Sequence, residues 1–446
     1  MNRDNFGSRF GVLVAMAGSA VGLGNLWRFP YLVGTNGGAA FIIIYLVFVF
    51  LLCLPIMYSE FIIGRRSQSN VFGAFRVLAP GSHWSGTGLI AVLGSISILA
   101  FYCVVGGWTI DYMVKALLLR FRTGDSEQLK MMFEQTATSH YESMAYLLVF
   151  LALTGMIVIA GVKKGIEKYT KIMMPILFVM VILIAVRSLT LPGAEAGVSF
   201  LFKPDFSKVT SRTILEALGQ AFFSLSLGCG TIMTYGSYVK KNENIIQTSI
   251  MTSVADTMFA IIAGLAIMPA VFAFGISPGE GPGLVFVTLP HIFAQLPLGS
   301  VIAVLFFFIL FIAAITSSIS LLEVVVAYIK EEFKMSRLAA VGLSLALITV
   351  LGVLCSLSQG VLAHVKIVGL NIFDFFDKLS ANILMPIGGF LAVIFVGWRM
   401  SRADYLDEIS SGGTIGFPQW LLLGFRFVIK FVTPVVIGII MVNGLL

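Results

Sequence analysis

Charge is scarce in this chain. Only 11% of its 446 residues are Asp, Glu, Lys or Arg, while 58% are hydrophobic. A water-soluble fold of that length needs far more polar surface, so the balance points to a polytopic membrane protein. Cysteine is scarce too: Cys53, Cys103, Cys229 and Cys355 all lie in apolar stretches and offer neither a disulfide framework nor a metal spacing. The four histidines are scattered and form no ligand set. No HExxH, GxSxG or paired catalytic set falls in an apolar segment, so an enzyme is not expected. The formal net charge of +7 is carried by short loops between apolar runs, which suits a lipid bilayer as partner and not a nucleic acid.

What the chain has is long apolar runs. A spanning helix needs roughly 20 apolar residues. Eleven stretches qualify, with cores near 10–30, 39–63, 88–119, 143–161, 166–188, 213–237, 245–274, 298–328, 337–357, 375–398 and 418–443. None alternates as a barrel strand does. The expectation is a single all-α transmembrane domain, 1–446, with eleven spans. Arg65, Arg66, Lys163, Lys164, Lys240, Lys241, Lys330, Lys334, Arg399 and Arg402 crowd one set of loops. That set includes the N-terminal tail, so the N-terminus is expected in the cytoplasm and the C-terminus outside, in the cell's inner (plasma) membrane. The N-terminal run shows no small-residue cleavage pattern, so no cleaved signal peptide is expected. The apolar loop segment Phe286 to Phe293 is expected to pack onto the bundle as a lid.

The first run is interrupted. Gly18-Ser19-Ala20-Val21-Gly22-Leu23-Gly24-Asn25-Leu26-Trp27-Arg28-Phe29-Pro30 carries three glycines, a serine, an asparagine and an arginine. Glycine favours breaks and close backbone approach. Freed backbone groups are tolerated at membrane depth only where protein or a water-filled cavity satisfies them. Five spans later, Gly219 to Gly230 is a second glycine- and serine-rich interruption. Five is odd, so two halves of five spans (1–190 and 210–400, followed by span 11 at 417–446) would insert with opposite topology. Broken segments at matching positions of two halves point to a transporter's binding site.

Those residues resemble the neurotransmitter:sodium symporter family. The match runs through Gly18 to Pro30, Asn36-Gly37-Gly38, Gly219 to Gly230 with Thr234-Tyr235, Thr316-Ser317-Ser318, and Asp374-Phe375-Phe376-Asp377. It covers essentially the whole chain and is nearest to bacterial amino-acid members, with eleven spans where twelve are usual. The resemblance implies a five-plus-five inverted repeat, with spans 1 and 6 unwound at the midplane. It implies two sodium (Na⁺) sites. One would use the Ala20 carbonyl, Asn25, Ser224, Asp256 and the substrate carboxylate. The other would use the Gly18, Val21 and Ala313 carbonyls with Thr316 and Ser317. Hydroxyls such as those of Thr316 and Ser317 also serve as plain helix-packing groups.

Asp256 stands mid-span, where an unpaired carboxylate costs at least ~2.5–3.5 kcal/mol. The family usually has an asparagine there, and the acid that replaces chloride in some members sits one turn on, at Ala260 in this chain. Asp256 is therefore a sodium ligand, a chloride substitute, or both; a purely structural acid is the bland alternative. Chloride-independent transport is expected.

The resemblance places a substrate pocket on Ala20, Gly22, Gly24, Ile98, Tyr102, Phe223, Ser224, Ser226, Cys229, Ser317 and Leu321. Gly22 leaves room for a carboxylate where monoamine carriers have an aspartate. The uncharged lining would reject a charged side chain, and Cys229 replaces a phenylalanine of a leucine-carrying member. A larger hydrophobic or aromatic neutral L-amino acid is expected, with plain core packing the alternative for Ile98 and Leu321. Arg28 and Asp377 would gate one side. Arg3 and Phe6 would meet Glu331 beside Tyr238 on the other, although Arg3 equally reads as a positive anchor. Glu60 is expected to bond freed backbone of span 6; Glu323 has no assigned role. Gly165 and Pro175 in span 5 mark either a segment that melts or a static kink. Proton coupling through Asp256, and an amino-acid-binding sensor or channel, are the alternatives to sodium symport.

Overall fold

The computed structural model describes residues 5–121, 125–276, 284–413 and 418–445. It is helical throughout, and among the described residues one isolated bridge, Ile367 with Leu370, is the whole of the β-structure. The helices used below are α1 Arg9–Ala20, α2 Gly24–Thr35, α3 Ala39–Ser67, α4 Ser85–Leu117, α5 His140–Ile159 and α6 Val162–Leu189. They continue as α7 Ser211–Ser224, α8 Thr231–Gly236 and α9 Ile245–Ala273. Then come α10 Leu284–Ala294, α11 Gly299–Glu332, α12 Arg337–Leu357, α13 Ile372–Arg399, α14 Arg402–Ile409 and α15 Trp420–Val442.

Nine of these helices are long and apolar enough to cross a membrane; α1 and α2, bent by 44° across their break, make a tenth if counted as one span. The remaining stretch expected from the sequence, the sixth, 213–237, is not a continuous helix. It divides into α7 and α8, because residues 225–230 leave the helical path. Gly228 (φ 77°) and Gly230 (φ 82°) take left-handed backbone there, a conformation glycine adopts without Cβ strain. A Cβ on Gly228 would also overlap the Met385 carbonyl of α13.

Two long helices, α4 and α11, pack along each other through the centre. Both carry small residues, which membrane helices use for close packing; Ser95, Ala100, Ala313 and Ala314 are all buried. Helices α1, α3, α8 and α9 pack on one another beside this pair. The segment expected as a lid is helical, and Phe286 is buried against Trp108 (5.9 Å between centroids), Tyr112 (5.0 Å) and Phe133 (5.4 Å). Residues 277–283, the first part of that loop, lie outside the described residues, as does Arg3.

Candidate functional site

The two helix breaks face each other and tie their loose backbone together. Ser226 Oγ donates to the Ser19 carbonyl (2.8 Å), and Ser317 Oγ of α11 donates to the same oxygen (3.3 Å). Gln220 Nε2 donates to Gly24 O (2.9 Å). Glu60 Oε1 accepts from Gly228 N (2.6 Å), the role expected for it. Thr231 Oγ1 donates to Ser226 O and Ser95 Oγ to Cys229 O, both at 2.6 Å. Apart from Gly24 O, which also accepts from Phe29 N, these are groups that a continuous helix would have satisfied itself.

A cavity lies between the breaks. Ten of the eleven residues expected around a substrate line it: Ala20, Gly22 and Gly24 from the first break, Ile98 and Tyr102 from α4, Phe223, Ser226 and Cys229 from the second, and Ser317 and Leu321 from α11. Ser224 does not line it, and Ser19 and Met385 are additional. Met385 escaped the sequence reading because nothing in its neighbourhood breaks an ordinary apolar helix. No lining side chain is charged. At one end the Tyr102 hydroxyl accepts from Leu23 N (3.3 Å). A Cβ on Gly22 would overlap Ser317 Oγ and stand 3.2 Å from Tyr102 OH. The free space is about 20 Å³, room for roughly one water, so an amino acid enters only if side chains move apart.

Ser224 faces a different group. Its hydroxyl lies 2.8 Å from both carboxylate oxygens of Asp256. Tyr45 OH donates to Asp256 Oδ2 (3.0 Å) and Asn25 Nδ2 to Asp256 Oδ1 (2.8 Å). Asn25, Ser224 and Asp256 are thus brought together. Tyr45 was not foreseen, since a tyrosine in span 2 carries no local signal. Asp256 is fully buried. Among the described residues no Lys, Arg or His lies within 4.0 Å of it. A buried carboxylate held only by neutral donors suits a cation that completes its charge balance.

Two members of the second expected set, Thr316 and Ala313, touch within α11. Thr316 Oγ1 donates to Ile312 O (3.0 Å) and Ala313 O (3.1 Å) in its own helix, as a packing hydroxyl does. Gly18 packs on α6, where a Cβ would meet Thr170 Cγ2 at 3.2 Å and the Met174 sulfur at 3.4 Å. Val21 is fully buried, and its N–H caps α1 on Ala17 O (2.7 Å).

Arg28 makes no direct ion pair with Asp377; none lies within 4.0 Å. Its guanidinium lies over the Phe223 ring instead, 5.1 Å from the centroid, where ring and cation attract. At the other end Phe6 is buried, its N–H on Tyr238 O (3.2 Å) and its ring edge-on to Tyr235 (5.7 Å). Tyr238 OH donates to Glu323 Oε1 (2.7 Å), and Arg337 pairs with Glu323 (2.6 Å). That explains Glu323, whose partner stands on the next helix in sequence. Glu331 accepts from Asn70 N (2.7 Å) and Nδ2 (3.0 Å). Glu167 of α6, also missed, accepts from Gly7 N (2.6 Å), Ser8 Oγ (2.9 Å) and Lys171 Nζ (2.6 Å), which pins the N-terminal segment.

This arrangement has close relatives. A protein of Bacillus subtilis described as "Uncharacterized sodium-dependent transporter YhdH" is 41% identical over 98% of this chain and 96% of its own length. A Drosophila melanogaster protein, "Sodium- and chloride-dependent GABA transporter ine", is 25% identical over 95% of this chain and 50% of its own. The crystal structure of MhsT in complex with L-phenylalanine superposes with a TM-score of 0.93, at 43% identity and 99% coverage of both chains. The family model for the sodium:neurotransmitter symporter family matches residues 3–125 and 126–446. With that model covering nearly the whole chain and a relative 41% identical over 98% of it, the chain belongs to the sodium:neurotransmitter symporter family, a family of polytopic membrane transporters.

Proposed function

We propose that the protein is a sodium-coupled symporter of neutral L-amino acids with large hydrophobic or aromatic side chains, working by alternating access and without chloride. The observation that carries this reading is the uncharged cavity between two helix breaks, set beside a buried carboxylate that has only neutral donors around it. Sodium is cargo here. Asn25, Ser224, Asp256 and the Ala20 carbonyl would hold one ion; the Gly18, Val21 and Ala313 carbonyls with Thr316 and Ser317 would hold a second. The solute carboxylate would meet Tyr102 OH in the space left by Gly22 and Gly24. Its amine would meet the carbonyls around Ser226, and its side chain would lie among Ile98, Phe223, Cys229, Leu321 and Met385. The L-phenylalanine held by MhsT supports the size of that side chain.

Coupling then follows from linkage: whatever sodium adds to solute affinity, solute adds to sodium affinity. The surrounding frame would be a single domain of eleven spans, 1–190 and 210–400 as inverted repeats, and 417–446 as the last span. The end carrying Phe6 and Tyr238 would face the cytoplasm of the cell and the end carrying Arg28 and Asp377 the outside. Uptake of labelled phenylalanine by proteoliposomes tests the reading. Accumulation above the external concentration should require an inward sodium gradient and persist when chloride is replaced by gluconate. A proton gradient alone driving uptake would favour the proton-coupled alternative, and binding without accumulation a sensor.

A further inference from the structure

Charge is unbalanced where α13, α14 and α15 meet the end of α3. The cations are Arg65, Arg66, Arg399, Arg402, Arg426 and Lys430; the carboxylates are Asp404, Asp407 and Glu408. All three carboxylates are taken by α3. Arg65 pairs with Glu408 (2.8 Å), and Arg66 pairs with Asp404 and with Asp407 (3.2 Å). Among the described residues, no carboxylate lies within 4.0 Å of Arg399, Arg402, Arg426 or Lys430. These four cations stand where α13, α14 and α15 meet, with no carboxylate in contact among the described residues.

Lys430 is the telling member. It lies inside the apolar span Trp420–Val442, about 15 Å along the axis from its start by helical rise. A charge there is costly unless something answers it. What answers it is aromatic: the ammonium stands 4.5 Å from the Trp398 ring centroid and 5.2 Å from that of Phe431. Trp398 donates its indole N–H to Lys430 O (3.0 Å), and its side of the helix is open, the residue being 60% exposed. Gly397 makes the approach possible, since a Cβ on it would stand 2.8 Å from Lys430 Cα. Arg426 is held just below, by Met400 O (2.8 Å) and over the Tyr405 ring (5.5 Å). Aromatic rings hold both cations in place while leaving their charge unneutralised.

We propose that this face binds the phosphate of an anionic phospholipid, seated between the ends of α13 and α15. Lys430 and Arg426 take the phosphate, Arg399 and Arg402 add to the field, and Trp398 packs against the glycerol and upper acyl chain. A lipid fits better than a free anion because the cation sits within an apolar span beside an exposed tryptophan, where headgroup and hydrocarbon are offered together. Basic pockets between helices and interfacial tryptophans both favour such ligands.

The test is native mass spectrometry of the full chain, titrated with phosphatidylglycerol or phosphatidylcholine of equal chain length. The wild type should retain phosphatidylglycerol in clear excess. Each basic residue near an anionic surface is worth roughly a fivefold change in affinity, so Arg426→Gln with Lys430→Gln should weaken retention roughly thirtyfold. Lys430→Met alone, the gentler change, should cost roughly fivefold. Equal retention by wild type and both variants would overturn the proposal. So would retention that inorganic phosphate abolishes at equal concentration, which would make the ligand a free anion. Loss of self-association in the variants with lipid retention unchanged would assign the face to a second copy and equally overturn it.

Discussion

Replacing Asp256 with asparagine removes one charge and keeps the shape. The carboxylate accepts from Asn25, Ser224 and Tyr45 at 2.8–3.0 Å and is fully buried. A unit cation about 4 Å from it, at an effective dielectric of about 20, is stabilised by about 4 kcal/mol. The new amide returns part of that as an ion–dipole contact, so a net loss of about 3 kcal/mol is the working figure, or roughly two orders of magnitude in affinity. The assay is sodium-dependent binding of labelled phenylalanine to detergent-purified protein. The sodium concentration for half-maximal binding should rise roughly a hundredfold. Phenylalanine affinity at saturating sodium should be nearly unchanged, because Asp256 does not line the cavity. Unaltered sodium dependence would refute the reasoning and make Asp256 a structural acid. Lost phenylalanine affinity at every sodium concentration would equally refute it, by placing the carboxylate on the solute.

Other expectations follow from the same geometry. Gly22→Ala puts a methyl group onto Ser317 Oγ, and overpacking of about 1–3 kcal/mol should cut phenylalanine affinity roughly tenfold or more; the binding assay reads it directly. Alkylation of Cys229, buried in the cavity wall, should block uptake, and saturating phenylalanine with sodium should slow it; mass spectrometry of the modified peptide checks this. Arg337→Gln leaves Glu323 buried without its cation. It should lower stability by about 3–5 kcal/mol, with Glu323→Gln in the same chain recovering most of it in a thermal-shift measurement.

How much of this was legible beforehand depended on whether a residue breaks its own surroundings. Gly22 and Gly24 interrupt an apolar run, as do Gly228 and Gly230, and both breaks fall within the stretches those glycines marked. Asp256 stood out because a carboxylate in an apolar span needs a reason. Tyr45 and Met385 did not, because each suits the helix that carries it and acquires a role only through a neighbour distant in sequence. Arg28 shows a different limit: its cost in a span is legible, but the Phe223 face beneath its guanidinium is not, because ring and cation are distant in sequence. Glu323 was the same problem seen from the other side, an acid whose cation could not be chosen from the candidates by sequence alone.

The Ser19 carbonyl receives hydroxyls from two separate helices, Ser226 after the second break and Ser317 on α11. That oxygen belongs to the main chain, so side-chain scanning at position 19 leaves the junction whole. Only the donors can be deleted one at a time, or the acceptor itself weakened by replacing the peptide link between residues 19 and 20 with an ester. A conventional mutational survey therefore reads this hub only through its donors and through the separate bond from Ser19 Oγ to Ser320 Oγ (2.8 Å); the oxygen itself is reached only in chemically synthesised or semisynthetic protein.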